Sequence, residues 1–352
     1  MKYSDKKNRG EWSELYALTR ILSTGTIRSG STTDSSENPA FPVVAVSRKI
    51  GGIEHEFRIA GLNIEIMNTS SDAVTGVIAR SELKQDSDLL LRTIKEGRGR
   101  SFSIPEARSI MNALQIEKVS GANEKNDLTI TSYDPRIKQE IKQGFSIKSF
   151  IGSKPTLLNA SGATNIEYAI GETLTMSEVI ELNNLGPIDL VSSLYEKGHS
   201  LVPIKLDERF SENLKMIDGE MDKLLSYFVL ASFRGQGRSM PDIVKILDFT
   251  NPLNYSSTNS RGRYIHKVKD LLEAVALGMR PSEPWSGQSE ASGGNLIVAS
   301  GGEILCHHAL EKDSLRTYLF ENTLIDTPSR RRHKFGSIIN NVLTLNFQIR
   351  FK

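Results

Sequence analysis

Cysteine is almost missing from this chain: its 352 residues include one, Cys306. A single thiol excludes intramolecular disulfides and cysteine-rich zinc modules. No run of about 18 apolar residues occurs, so no transmembrane helix is expected. The opening MKYSDKKNRGEWSE carries charge but no apolar core, unlike a secretory signal, and a cytoplasmic protein is expected. No internal repeat is visible. Gly235-Gln236-Gly237 has neither a preceding strand nor the further glycine of a dinucleotide-binding turn. Net charge is scarce as well, 44 basic against 42 acidic residues giving +2, too little to announce nucleic acid by itself. Acidic residues are, however, wholly absent after Thr327, where Arg330, Arg331, Arg332, Lys334, Arg350 and Lys352 are basic. Such a tract suits phosphates, or forms a solvated tail.

What remains is ordinary soluble composition, 38% apolar and 24% charged, in a chain long enough for two domains or one elaborated domain. Its most informative stretch is KNDLTITSYDPRIKQEIKQGFSIKSF, two alternating runs joined by a polar turn. An antiparallel hairpin with paired residue numbers summing to 275 sets Leu128 opposite Ile147 and Ile130 opposite Phe145. Asp127 then faces Lys148 and Thr129 faces Ser146, so one face is apolar and the other polar. A carboxylate and an ammonium held on a sheet suit a metal-dependent phosphodiesterase. Asp127 would hold a divalent cation, the Ile147 carbonyl would add a neutral ligand, and Lys148 would steady the attacking water or the growing phosphate charge. An exposed cross-strand ion pair, contributing roughly 0.2–1 kcal/mol, gives the same pattern. Asp134, before Pro135, reads as turn chemistry.

Upstream, a helix is expected from Glu11, with Trp12, Leu15, Tyr16, Leu18 and Leu22 on one stripe. Glu11 and Glu14 suit a helix N-terminus; alternatively Glu14 reaches the metal held by Asp127. Residues 24–41 read as a loop, PVVAVSRKI and HEFRIAGLNIEIMN as strands, and ARSELKQDSDLLLRTIKEG as a helix ending near Gly97. Arg98 and Arg100 are candidate phosphate contacts, and Pro105 opens a helix. IEYAI reads as the next strand of the sheet, with Glu167 facing either the metal or solvent. From Thr175 to about Gly278 the pattern is mainly helical, Pro241-Asp242 being ordinary capping chemistry. NLIVAS and EILCHHA form a hairpin through Gly301-Gly302, its His307 and His308 pointing to opposite faces. SLRTYLFENT is a helix, TLNFQIRF a final strand, and Phe335 beside Arg332, His333 and Lys334 would suit a loop laid in a groove.

NRGEWSELYAL, DLTITSYDP, GFSIKSFIGSKPTLLNASGATN, PWSGQSEASGG, GEILCHH and DTPSRRRHKFG together resemble the HpaII-type restriction endonucleases, from the start of the chain to its end. The resemblance implies a type II enzyme that cuts both strands of double-stranded DNA at CCGG with Mg2+, with a cognate methyltransferase protecting the host. Cutting two strands calls for two active sites, as in a homodimer, or two visits by one. The implied architecture is mixed α/β, a PD-(D/E)xK-like central sheet flanked by helices over 1–172, with DNA recognition in a mainly helical and then β-stranded half, 173–352. Carried onto this sequence, Asp127 matches the first acid, Lys148 the lysine and Glu14 the glutamate of the leading helix. Ser146 stands where that motif has Asp or Glu, so one charged ligand is missing, for which Glu14 or Glu167 would compensate. Arg331, Arg332 and His333 are the expected groove contacts, with Lys334 beside them and Gln288 a further candidate. A repair or recombination nuclease of the same fold, or a silent DNA-binding protein, are the alternatives.

Overall fold

The computed structural model describes residues 6–30, 39–50, 53–117, 126–134, 138–235, 237–256, 258–309 and 311–352. The chain is mixed α/β and forms two compact units, one of residues 1–155 with 290–315, the other of 156–289 with 316–352. This division differs from a boundary at 172, because NLIVAS and EILCHHA return to the first unit as strands of its sheet.

In the first unit, helix α1 (Arg9–Thr24) opens on a capping box: the Asn8 side chain accepts from the Glu11 N–H at 3.0 Å, and the Glu11 carboxylate accepts from the Asn8 N–H at 2.8 Å. Glu11 therefore serves the helix end, satisfying N–H groups that have no partner within the helix. Strands β1 (Thr26–Ser29), β2 (Ala40–Ile50), β3 (Ile53–Ala60), β4 (Asn63–Asn68) and β5 (Ala73–Ala79) follow, then helix α2 (Arg80–Glu96). Strands β6 (Leu128–Asp134) and β7 (Gln139–Ser149) form the expected hairpin, and β8 (Gly294–Val298) and β9 (Ile304–His308) another. Among the described residues these nine strands form one sheet in the order β1-β9-β8-β7-β6-β2-β3-β4-β5. β1 also pairs with the start of β2, closing a ring of six strands. The segment 24–41 thus contributes a strand where a loop was expected. Ile27 alternates with more polar neighbours there, a signal too short to separate from a turn.

The central hairpin is antiparallel, but its register is shifted by two residues. Leu128 lies opposite Phe145 and Ile130 opposite Gln143, so pair numbers sum to 273. A shift of two preserves which face each side chain takes, whereas a shift of one would have inverted it. Leu128, Ile130, Phe145 and Ile147 accordingly share a core with Trp12, Leu15, Leu18 and Leu22 of α1. Each such aliphatic burial stabilises by roughly 1.5–3 kcal/mol. Asp134 is the last residue of β6 and buried, rather than part of the turn; the turn centre, 135–137, lies outside the described residues.

The second unit holds, among its described residues, a four-stranded sheet ordered Leu201–Leu206, Asn165–Ile170, Val342–Asn346, Ser337–Ile339, and a three-stranded one ordered Thr156–Leu158, Gln348–Phe351, Thr323–Asp326. IEYAI is a strand, but of this other sheet, and Glu167 pairs with Lys205 at 3.1 Å. Within the mainly helical part, ERFSENLKMIDGEMDKLLSYFVLASF reads as one amphipathic stretch but breaks at Asp218–Glu220 into helices Glu208–Ile217 and Met221–Ser232. TLNFQIRF likewise divides into two strands around Phe347, which is fully buried. Pro241 sits in the first turn of Met240–Thr250, capped by the Ser239 side chain accepting from the Asp242 N–H, which is the capping role expected of it.

Gly294 begins β8 at φ 107°, in the region that favours glycine, and a Cβ there would lie 2.2 Å from the His307 carbonyl oxygen. Gly294→Ala is expected to cost more than about 2 kcal/mol of stability, read as a fall in the urea midpoint at an unchanged slope.

Candidate active site at the end of the central hairpin

Asp127 stands one residue before β6, its N–H donating to the Phe145 carbonyl at 2.9 Å. Its carboxylate reaches on to the next two residues of β7. Its Oδ2 accepts from the Ile147 N–H at 2.6 Å and from Ser146 Oγ at 3.4 Å. Lys148 Nζ donates to Ser146 Oγ at 2.9 Å. In place of a direct Asp127–Lys148 contact across the hairpin, Ser146 stands between the two charged groups. The Ile147 N–H is thus taken by Asp127, whereas the Ile147 carbonyl, expected from the sequence as a metal ligand, is a different atom of that residue and has no part in this bond.

Glu14 comes from the second turn of α1. Ser13, its neighbour, donates to Ser149 Oγ at 2.8 Å and so fixes the helix against β7. The Glu14 carboxylate pairs with Arg48 of β2, a guanidinium 3% exposed. Ser47 pairs with Thr129, so Arg48, the next residue, takes the core side of β2, where α1 lies. Arg48 Nε and Nη1 have no hydrogen-bond partner. Sequence reasoning passed over Arg48; one charge within the apolar run PVVAVSRKI is the signal that could have found it, because arginine is rarely buried without a counter-ion.

Electrostatics bind these four residues into one group. Burial raises the Glu14 carboxyl from an ordinary 4.5 to about 8, Asp127 pushing the same way and Arg48 opposing. Burial raises Asp127 too, against Lys148, the Ile147 N–H, Arg48 and Ser146. Burial lowers Lys148, against the pull of Asp127 and Glu14. Two carboxylates that repel each other away from bulk water are stabilised by any cation brought between them.

Among the described residues no group of three or more His, Cys, Asp or Glu side chains is gathered as a ligand set. Two oxygen-donor carboxylates with no thiolate or imidazole suit a hard, largely hydrated cation such as Mg2+, and do not suit zinc. Glu167 belongs to the other unit's sheet. His307 is buried and His308 half-buried with its ring edge-on to Phe145 at 5.8 Å, so the two do not share a face.

The expected DNA contacts fall elsewhere. Arg98 and Arg100 are exposed beyond α2. Arg331, Arg332 and His333 lie on a four-residue helix, Arg330–His333, the two arginines exposed and His333 half-buried. Arg330 anchors that helix by donating to the carbonyls of Leu185 at 2.8 Å and Asn183 at 3.0 Å. Lys334 is exposed at φ 51°. Phe335, expected in a groove, is 1% exposed and belongs to the core: the aromatic ring pins the basic segment, and its neighbours point outward. Gln288 is exposed, its carbonyl accepting from Trp285 Nε1 at 2.9 Å.

A family model described as HpaII restriction endonuclease matches residues 8–351, and the chain belongs to that family. It is therefore a type II restriction endonuclease, a hydrolase whose substrate is double-stranded DNA. Among curated proteins, the type II restriction enzyme HpaII of Haemophilus parainfluenzae is 35% identical over 352 residues, 98% of each chain being covered. No solved structure matches, and among the described residues no helix is long and apolar enough to cross a membrane.

Between its ordinary value and its raised one, Glu14 keeps a proton that the unfolded chain has lost, so the folded state loses stability as pH rises from 4.5 to about 8. In EDTA, Glu14→Gln is expected to flatten this part of the stability–pH profile, measured by urea unfolding at a series of pH values. An unchanged slope in the variant would remove Glu14 as its source.

Proposed function

We propose that this endonuclease cuts CCGG with Mg2+, using Asp127, Ser146, Lys148 and Glu14 as its catalytic group on a PD-(D/E)xK-like core. The observation that carries the reading is the convergence at the end of β6 and β7: Asp127 locked to the Ile147 N–H, Lys148 one hydroxyl away, and Glu14 repelling Asp127 from α1. Glu14 and Asp127 would hold the metal, with Ile147 as a backbone neighbour. When bound, Mg2+ lowers the pKa of a coordinated water and offsets charge on the phosphate.

The chain's own groups do the rest. Asp127 stays oriented because Ile147 and Ser146 donate to one of its oxygens, leaving the other to face outward. Lys148, its ammonium destabilised by burial, is ready to donate to the attacking water or to a phosphate oxygen, where charge grows in the in-line displacement. Arg48 balances Glu14, keeping two carboxylates folded side by side before substrate arrives. Ser146 supplies no charge, so the site holds its cation with two carboxylates, and millimolar Mg2+ suits it better than trace amounts.

Base recognition of C·G pairs calls for paired guanidinium donors to guanine. Arg331 and Arg332 fit because they stand exposed on a helix that Arg330 and Phe335 hold rigid. His333, Lys334, Arg98, Arg100 and Gln288 complete the proposed DNA contacts. Two strands are cut by two active sites in a homodimer. A four-base site recurs throughout the host genome, so a methyltransferase that modifies the same sequence accompanies the enzyme in the cytoplasm.

A plasmid with one CCGG site is expected to be linearised with Mg2+, to survive in EDTA, and to survive when the site is altered. Lys148→Ala is expected to cut at least about 100-fold more slowly while binding the site as tightly. Binding without cutting by both proteins would leave Asp127 and Lys148 as an ion pair on a DNA-binding scaffold. Arg332→Ala is expected to weaken discrimination against single-base variants of the site by about 1–3 kcal/mol, read from competition binding.

A further inference from the structure

The register of the central sheet extends the site sideways. The Ser146 hydroxyl donates to Asp127, Ser146 pairs with Asn295 of β8, and Asn295 pairs with His307 of β9. Paired residues take the same face, so Ser146, Asn295 and His307 form a polar row across three neighbouring strands, with the Asp127 carboxylate at its end. Asn295 is 1% exposed, and neither its Nδ2 nor its Oδ1 has a hydrogen-bond partner. A buried carboxamide with both ends unpaired is rare and costly, and a leucine of similar size would fill the position without that penalty. Neighbouring strands run about 4.8 Å apart, and Asn295 is the direct partner of Ser146 on the next strand. That hydroxyl already accepts from Lys148 Nζ and donates to Asp127, and its oxygen has a second lone pair for a further donor.

We propose that Asn295 is a positioning residue of the cleavage reaction. When Lys148 turns from Ser146 to the phosphate, the Asn295 Nδ2–H takes the lysine's place on Ser146 Oγ. Ser146 then keeps a donor and keeps its own proton on Asp127, so Lys148 leaves without loosening the carboxylate. No bond is made or broken; one hydrogen bond is exchanged for another, and the unpaired amide of the free protein is the reserve for that exchange. The inference rests on the assignment of Lys148 to the phosphate.

The test compares the full-length wild type, Asn295→Leu, Asn295→Ser and Lys148→Ala by single-turnover cleavage of a CCGG duplex. DNA affinity and thermal midpoint are measured alongside in EDTA. Asn295→Leu is expected to cut about 10-fold more slowly, to bind DNA unchanged, and to melt at the same temperature or about 2 °C higher. Asn295→Ser, which retains a donor, is expected to recover most of the rate. Wild-type cleavage by Asn295→Leu overturns the inference, and so does a fall in melting temperature that accompanies a fall in rate and is shared by Asn295→Ser. Should Lys148→Ala cut like the wild type, the assignment of the site itself fails, an outcome distinct from failure at Asn295 alone.

Discussion

Two carboxylates, Glu14 and Asp127, are folded close enough to repel each other at a place partly withdrawn from water. Everything around them answers that repulsion. Arg48 lies beneath Glu14, and Lys148 stands beyond Ser146 on the Asp127 side, so the protein holds two acids against two bases. Such an arrangement does little for stability, because burying ionisable groups costs about what their attraction returns. On the proposed assignment its value is local: a divalent cation would take the place of the proton that Glu14 keeps, and a phosphate would meet an ammonium that burial disfavours.

The sheet makes this arrangement hold its shape. α1 is fixed at its start by the Asn8–Glu11 box and along its length by an apolar stripe, so Glu14 cannot rotate away from β7 without exposing leucines. Asp127 is fixed by a backbone N–H of the neighbouring strand, a donor with no rotamers of its own. In the second unit a comparable division of labour separates Arg330, bound to two carbonyls, from Arg331 and Arg332, which stay exposed. Three consecutive arginines are equivalent in a sequence and different in a fold.

Legibility followed period and chemistry. The hairpin was readable because Leu128, Ile130, Phe145 and Ile147 alternate with polar residues, and faces depend only on odd or even spacing. The register was missed by two because that pattern is blind to shifts of two, and the turn that sets the count has no distinctive residue pair. Helix α1 with its Glu14 was readable from a 3.6-residue stripe. Arg48, Asn295 and the location of IEYAI were not, since each depends on which strand lies next to which, and strands distant in sequence find each other through shape and burial. Phe335 misled because an aromatic among basic residues looks the same whether it faces a groove or the core.

Strand β7, which carries the proposed site, has β8 as its parallel neighbour, yet residues 156–289 of the other unit lie between them in the chain. A ribosome, which releases the chain from its N-terminus, therefore delivers Asp127 and Lys148 long before the strand that covers them. Until residues 294–308 emerge, β7 has an open edge and the polar row stops at Ser146. An edge of that kind invites pairing with other chains, and it stays open while residues 150–293 are made. The same delay means that a prematurely terminated product lacks the completed sheet. On the proposed assignment, chain order leaves the site incomplete until late, because residues 294–308 of 352 complete the sheet beside Asp127 and Lys148.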